Sequence, residues 1–165
     1  MGIIIQFPER KRKVTRFNCM GEDVLEIAKY FLSRRAMTLR KLQTLCYLTQ
    51  CHFISMYKNS LIDTKFEAWA NGPSSRELFE AYSEWENLEI ISHKIPCFYN
   101  KETERYLNAI YNMYGKASEK SLRNLIANDN VWQHTRKGLK RREPCLDEIE
   151  YDTIYNGYKN KPLAY

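Results

Sequence analysis

Residues 38–57 read T-L-R-K-L-Q-T-L-C-Y-L-T-Q-C-H-F-I-S-M-Y, and their period decides the fold. Leu39, Leu42, Cys46, Thr49, Phe53 and Met56 recur at alternating steps of three and four, the repeat of one α-helical face. Leu45, Leu48 and His52 lay a second stripe beside it. From Leu45 onward apolar residues fall on nearly every side, which predicts a central helix enclosed by others rather than one lying on a surface. Thr38 stands where an N-cap belongs. His52 on such a helix reads as a hydrogen-bonded core histidine, because no acid or nucleophile occupies a neighbouring helical position.

The helical period spreads outward from this segment. Upstream, Val24, Ala28 and Phe31, with Leu25 and Leu32 beside them, predict a helix capped by Asp23. Downstream, Thr103, Leu107, Ile110 and Tyr114 predict a helix stopped by Gly115, and Ser118 caps a short one holding Leu122, Leu125 and Ile126. Leu146, Ile149 and Thr153, beside Tyr151, Ile154 and Tyr158, predict a last helix. Between these, F66-E-A-W-A-N-G-P-S-S-R-E-L-F79 changes rhythm. Phe66 and Ala68 alternate with Glu67 and Trp69, predicting a strand over 65–70 whose Phe66 and Trp69 lie against the central helix. Asn71-Gly72-Pro73 ends that strand, since Gly72 accepts positive φ and Pro73 has no N–H for a ladder. Ser74 and Glu77 then form an S-x-x-E capping box that opens a helix marked by Leu78, Tyr82 and Trp85. L88-E-I-I-S-H-K-I95 predicts a second strand, the natural partner of the first.

The expected fold is mainly α with a small antiparallel β element (α+β): a compact helical domain around a central buried helix, with a short two-stranded hairpin or sheet. At 165 residues and 44% hydrophobic content, one core suffices. Residues 1–20 read as a basic arm, 21–160 as one globular domain and 161–165 as a tail. No apolar run approaches the roughly 18 residues of a membrane span, and M-G-I-I-I-Q-F-P is too short for a signal peptide, so a soluble, cytoplasmic chain is expected. The five cysteines (Cys19, Cys46, Cys51, Cys97, Cys145) are odd in number and lie mostly within apolar runs, which predicts reduced core thiols and no disulfides. There is no C-x-x-C or H-x-x-x-H pair, and Cys46 and Cys51 diverge by about 140° around a helix, so no metal site is expected.

The net charge of +6 gathers at two places. The first is the arm, where Arg10, Lys11, Arg12, Lys13 and Arg16 face only Glu9. The second is Arg136, Lys137, Lys140, Arg141 and Arg142, answered at once by Glu143, Asp147, Glu148, Glu150 and Asp152. Arg10, Lys11, Arg12 and Lys13 read either as phosphate contacts or as a solvated lead-in. The chain lacks the wider basic and aromatic footprint of nucleic-acid binders, which favours the second reading. A catalytic reading finds no support: G-x-x-x-x-G-K, G-x-G-x-x-G, H-E-x-x-H and G-x-S-x-G are all absent. Glu67 beside Trp69 reads as a ladder or capping partner. Neither an enzyme nor a cofactor is expected.

Three stretches carry a resemblance. L-R-K-L-Q-T-L-C-Y-L-T-Q, S-L-I-D-T-K-F-E-A-W-A-N-G-P and E-L-F-E-A-Y resemble the K-L-Q-K-L-L-Y, P-L-F and F-E-A-W-x-x-G-P signatures of the Panacea antitoxin domain, the SocA-like or GepA-like family often found on phage and mobile elements. The resemblance runs from about Val24 to Tyr158. It implies an antitoxin that neutralises a cognate toxin protein by binding it directly, with some relatives serving as adaptors for a protease, and it brings no catalytic residues. Lys41, Leu42, Gln43, Phe66, Glu67, Ala68, Trp69, Gly72 and Pro73 match its motif and read as scaffold. The chain departs from the pattern at Ser74, where an apolar residue is usual, and at Asn128 and Val131, near a common histidine and proline.

Two alternatives stay open beside the antitoxin: an inhibitor of another host or defence protein carried by a mobile element, and a nucleic-acid-binding regulator using the arm. For a protein partner, the 12 tyrosines and three tryptophans supply the residue types that interfaces favour. Tyr106, Tyr111, Tyr151 and Tyr155 sit off the main stripes and are expected at the surface. Asn71, Ser75 and Arg76 form the rim of the turn.

Overall fold

A computed structural model describes residues 21–165 apart from 86, 93–95, 97, 99, 162, 164 and 165. The elements run α1 (Val24–Arg34), β1 (Met37–Thr38), α2 (Leu39–Tyr57), β2 (Glu67–Trp69), β3 (Gly72–Ser74), α3 (Arg76–Tyr82), β4 (Glu89–Ile90), α4 (Lys101–Ile110), α5 (Glu119–Ala127), α6 (Asn130–Thr135) and α7 (Tyr151–Tyr158). A 3-10 turn over Ser83–Trp85 follows α3, and a π-helical turn over Tyr111–Gly115 extends α4. The protein is mainly helical, and the described residues form two small antiparallel sheets. No helix among the described residues is long and apolar enough to cross a membrane.

The central helix is where the periodicity put it. Fifteen of the 19 residues of α2 are buried, and α1, α3, α4, α5, α7 and β3 all pack on it. Thr38 caps it by accepting from the Lys41 N–H, and the helix ends on Lys58 at φ 51°, a left-handed stop made without glycine. Asp23 caps α1, and Ser118 caps α5, through the predicted side-chain bonds. Gly115 ends the π-helical turn beyond α4.

The β elements differ from expectation. Strand β2 pairs with β3, not with the 88–95 segment, in the register Glu67↔Ser74, Ala68↔Pro73, Trp69↔Gly72. The second segment supplies only β4, which pairs with β1, while residues 93–95 of that expected strand lie outside the described residues. Pro73 therefore sits inside a strand. It is tolerated because Ala68, opposite it, turns both polar groups the other way: its N–H donates to the Asp147 carbonyl (2.9 Å) and its carbonyl accepts from Arg136 (2.7 Å). No donor is asked of the proline. Gly72 holds φ at 127°, the positive value that the turn was read to need.

Two helix starts also move. Ser75, not Ser74, caps α3, with its hydroxyl accepting from Leu78 N–H, while Ser74 belongs to β3 and donates its hydroxyl to the Gly72 carbonyl. The last helix begins at Tyr151, because Glu148 and Ile149 are drawn alongside β2: the Ile149 N–H donates to the Phe66 carbonyl at 2.7 Å, and Glu148 bridges Glu67. Leu146, expected on that helix, lies 61% exposed ahead of it. Helix α3 gives way to the 3-10 turn before Trp85, which leaves Leu78 as its one buried residue.

Candidate partner-binding surface

The hairpin β2–β3 is held at its base by buried glutamines and an arginine. Gln43 on α2 donates to the Ser75 carbonyl (2.9 Å) and accepts from the Ser75 N–H (2.8 Å), so one amide closes both polar groups of one backbone residue. Seven residues on, two helical turns along the same face, Gln50 donates to the Ile62 carbonyl and accepts from the N–H groups of Leu61 and Ile62. These amides pin the loop that enters the hairpin and the residue that leaves it. Phe66 fills the core against Tyr47, with ring centroids 5.8 Å apart.

Arg136 clamps the other side. It is 5% exposed, donates to the carbonyls of Ala68, Lys140, Arg141 and Glu143, and stacks its guanidinium 5.1 Å from the Trp132 ring. The Trp132 indole N–H in turn donates to the Trp69 carbonyl (3.1 Å). Arg136 is thus a structural cation and does not share a solvent-facing basic block with Lys137, Lys140, Arg141 and Arg142, all of which are exposed.

Trp69 does not lie in the core with Phe66. It is half-buried on the outer face, edge-on to Phe79 at 5.3 Å, and its indole N–H donates to the Glu67 carboxylate (2.6 Å). Phe79 is 42% exposed, so the pair forms an aromatic ridge beside the hairpin. Glu67 also accepts from Arg76 at 2.7 Å. Burial works to raise the Glu67 carboxyl, but the hydrogen bonds from Arg76 and Trp69 outweigh it and hold the group below the usual carboxylate range. Glu67 is thereby a tie between strand, ridge and α3.

Of the residues proposed for the rim, Asn71 and Arg76 are exposed, whereas Ser75 is fully buried because its backbone and hydroxyl are both committed. Tyr106 and Tyr111, expected at the surface, are buried. Tyr106 points inward from α4 and donates to the Thr49 carbonyl (2.7 Å), and Tyr111 is covered by the Arg34 guanidinium, 5.1 Å from its ring. Tyr151 is exposed, and Tyr155 is half-buried beneath Lys58. Arg10, Lys11, Arg12 and Lys13 lie outside the described residues. Lys41 and Leu42 are buried on α2, and the Lys41 ammonium donates to the Ala117 carbonyl (2.7 Å). Burial lowers its pKa, and the nearby Arg35 charge adds to the effect.

The hairpin borders two hollows. One, about 390 Å³, is lined by its tip at Ala70, Asn71 and Gly72 together with residues of α2, α5 and the 141–142 loop. The other, about 700 Å³ and wider open, is lined by Glu67, Arg76 and Glu77 with the 59–65 loop.

A second polar group lies deep in the core. Asp129 caps α6 and accepts from the hydroxyls of Tyr47 (2.7 Å) and Tyr158 (3.1 Å), with 2% of its surface exposed. His52 meets the Tyr114 hydroxyl through Nε2 (2.7 Å), and burial, with the charge of Lys161, lowers its pKa to about 4. His52 is the core histidine that the sequence predicts, held neutral at ordinary pH. Burial pushes the Cys46 and Cys51 thiols up, so neither supplies a thiolate. Cys46, Cys51 and Cys145 are unbridged, and Cys19 and Cys97 lie outside the described residues. Among the described residues, no three acidic, histidine or cysteine side chains gather as a metal site would require. The cluster is closed to solvent and ties α2, α6 and α7 together.

Gln50 and Asp129 were not singled out from the sequence, and Arg136 was read only as part of a basic block. Each is a polar residue inside an apolar or aromatic context, and a buried polar group demands partners. That signal was present at Gln50, on the helix whose every side reads apolar.

A family model described as antitoxin SocA-like, Panacea domain, matches residues 42–133, from the first turn of α2 into α6. That span is narrower at both ends than the resemblance read from the sequence. No curated protein and no solved structure matches the chain.

Proposed function

Because the chain belongs to the SocA-like antitoxin family through its Panacea domain, we propose that it neutralises a partner toxin by direct, stoichiometric protein binding. One observation supports this most: the matched region builds a hairpin whose base is locked by Gln43 and Arg136 while its tip and flank, Asn71, Arg76 and the Trp69–Phe79 ridge, stay at the surface. A rigid edge of this kind binds with little ordering cost, and a partly exposed aromatic pair is the residue type that carries binding energy. An interface of standard size, about 1,600 Å² in total, would suffice.

The activity required is occupation of a surface, which needs no bond to form or break. Growth rescue by graded co-expression with the gene adjacent to this one tests the proposal. Rescue is expected to follow the ratio of the two proteins and to saturate near equivalence. Full rescue by trace amounts would point to turnover instead.

A further inference from the structure

The smaller hollow beside the hairpin has a charge pattern that the binding of an arbitrary protein surface does not require. Its walls carry Arg40 from α2, Arg123 from α5, and Arg141 and Arg142 from the loop that Arg136 holds, and all four are exposed. Its apolar lining comes from Leu122, Ile126 and Trp132. Glu119 aligns two of the cations: Arg123 approaches it at 3.4 Å and Arg40 at 3.8 Å, while its other oxygen accepts from Thr38 (2.6 Å). Arg141 and Arg142 make no ion pair among the described residues. One carboxylate therefore serves two arginines and leaves two unanswered, in a cavity of about 390 Å³, within the usual ~300–1,000 Å³ of ligand pockets.

We propose that this cleft receives an acidic peptide segment of the partner protein, with carboxylates meeting Arg123, Arg141 and Arg142 and an apolar side chain resting on Leu122 and Ile126. The inference rests on the antitoxin reading and adds the partner's chemistry to it. Charge complementarity selects an acidic occupant, and arginine suits carboxylates because its planar fork can bind both oxygens. One feature favours a peptide over a nucleic acid. Trp132 is poorly placed to stack a base, because one of its faces is covered by Arg136 and its N–H is spent on Trp69. The chain's own first residues do not fit the cleft, since Arg10, Lys11, Arg12, Lys13 and Arg16 face only Glu9.

Fluorescence anisotropy on the full chain tests this with three labelled probes: a short peptide alternating Glu with Leu and Phe, its Gln-for-Glu counterpart, and an oligo-dT strand. The acidic peptide should bind about tenfold or more tighter than the Gln version, a preference that weakens with salt. Arg123→Glu, and Arg141→Glu combined with Arg142→Glu, should abolish that preference while the melting temperature stays unchanged. The same variants should weaken the complex with the adjacent gene's product by about tenfold or more. Equal binding of both peptides, or of neither, overturns the cleft. So does oligo-dT binding more tightly than the acidic peptide and being lost on the same substitutions. If the partner complex survives charge reversal, the cleft is wrong and the antitoxin reading stands. If the wild-type chain forms no complex yet prefers the acidic peptide, the antitoxin reading fails and the cleft stands.

Discussion

At the scale of single residues, the fold depends on a few buried polar side chains that each close several backbone groups. Arg136 satisfies four carbonyls, and truncating it leaves the buried Ala68 carbonyl without this donor and frees the loop that the other three hold. Arg136→Met is expected to cost about 3 kcal/mol, read as a fall in melting temperature. Arg136→Lys should recover little, because an ammonium lacks the planar fork that spans these acceptors. His52 yields a pH prediction. Its folded pKa of about 4 lies below the ordinary value of 6.5, so the unfolded chain binds the proton more readily between them. Stability contributed by neutral His52 is complete above pH 6.5 and is lost as pH falls towards 4. The loss is on the order of 3 kcal/mol. Denaturation at a series of pH values, wild type against His52→Gln, should show this slope removed in the variant, and parallel curves would contradict it.

At the scale of elements, helices were legible wherever an apolar stripe met a cap, as at Asp23, Thr38 and Ser118. The strands were less legible because pairing is decided by distant backbone. The strand expected over 65–70 forms only over Glu67–Trp69, its partner is the Gly-Pro-Ser segment directly after the turn, and the far edge is taken by Asp147 and Ile149. Nothing local announces that Pro73 escapes its missing N–H by facing an Ala68 turned outward. Likewise Ser74 and Ser75 are equally good caps by composition, and Gln43 settles the choice by seizing the Ser75 backbone. Tyr106 and Tyr111 were misplaced because tyrosine buries readily once its hydroxyl finds an acceptor or its ring a cover, which off-stripe position does not reveal. The turn gives a ranked prediction. Ser75→Ala should cost about 1 kcal/mol through the lost cap, and Gly72→Val more, since φ of 127° strains any β-branched residue. Thermal melts that placed Gly72→Val above Ser75→Ala would mean that the turn relaxes by another route.

At the scale of the whole molecule, one apolar cluster among the described residues gathers side chains from each helix α1 to α7, and the Asp129 and His52 groups lie inside it rather than in a cleft. The core thus uses these polar side chains to tie helices together. The hairpin lies within the span that marks the family, whereas Arg40, Arg141 and Arg142 of the hollow beside it lie outside that span. Neutralisation by occupation is tested by titrating the purified chain into a fixed amount of the adjacent gene's purified product, following residual toxin activity and size-exclusion profile together. Activity should fall in proportion to the added chain and reach zero at a fixed stoichiometric ratio, with both proteins eluting as one complex and the toxin chemically unchanged. Complete loss of activity at a small fraction of that ratio, with no complex eluting and the toxin covalently altered, would contradict it.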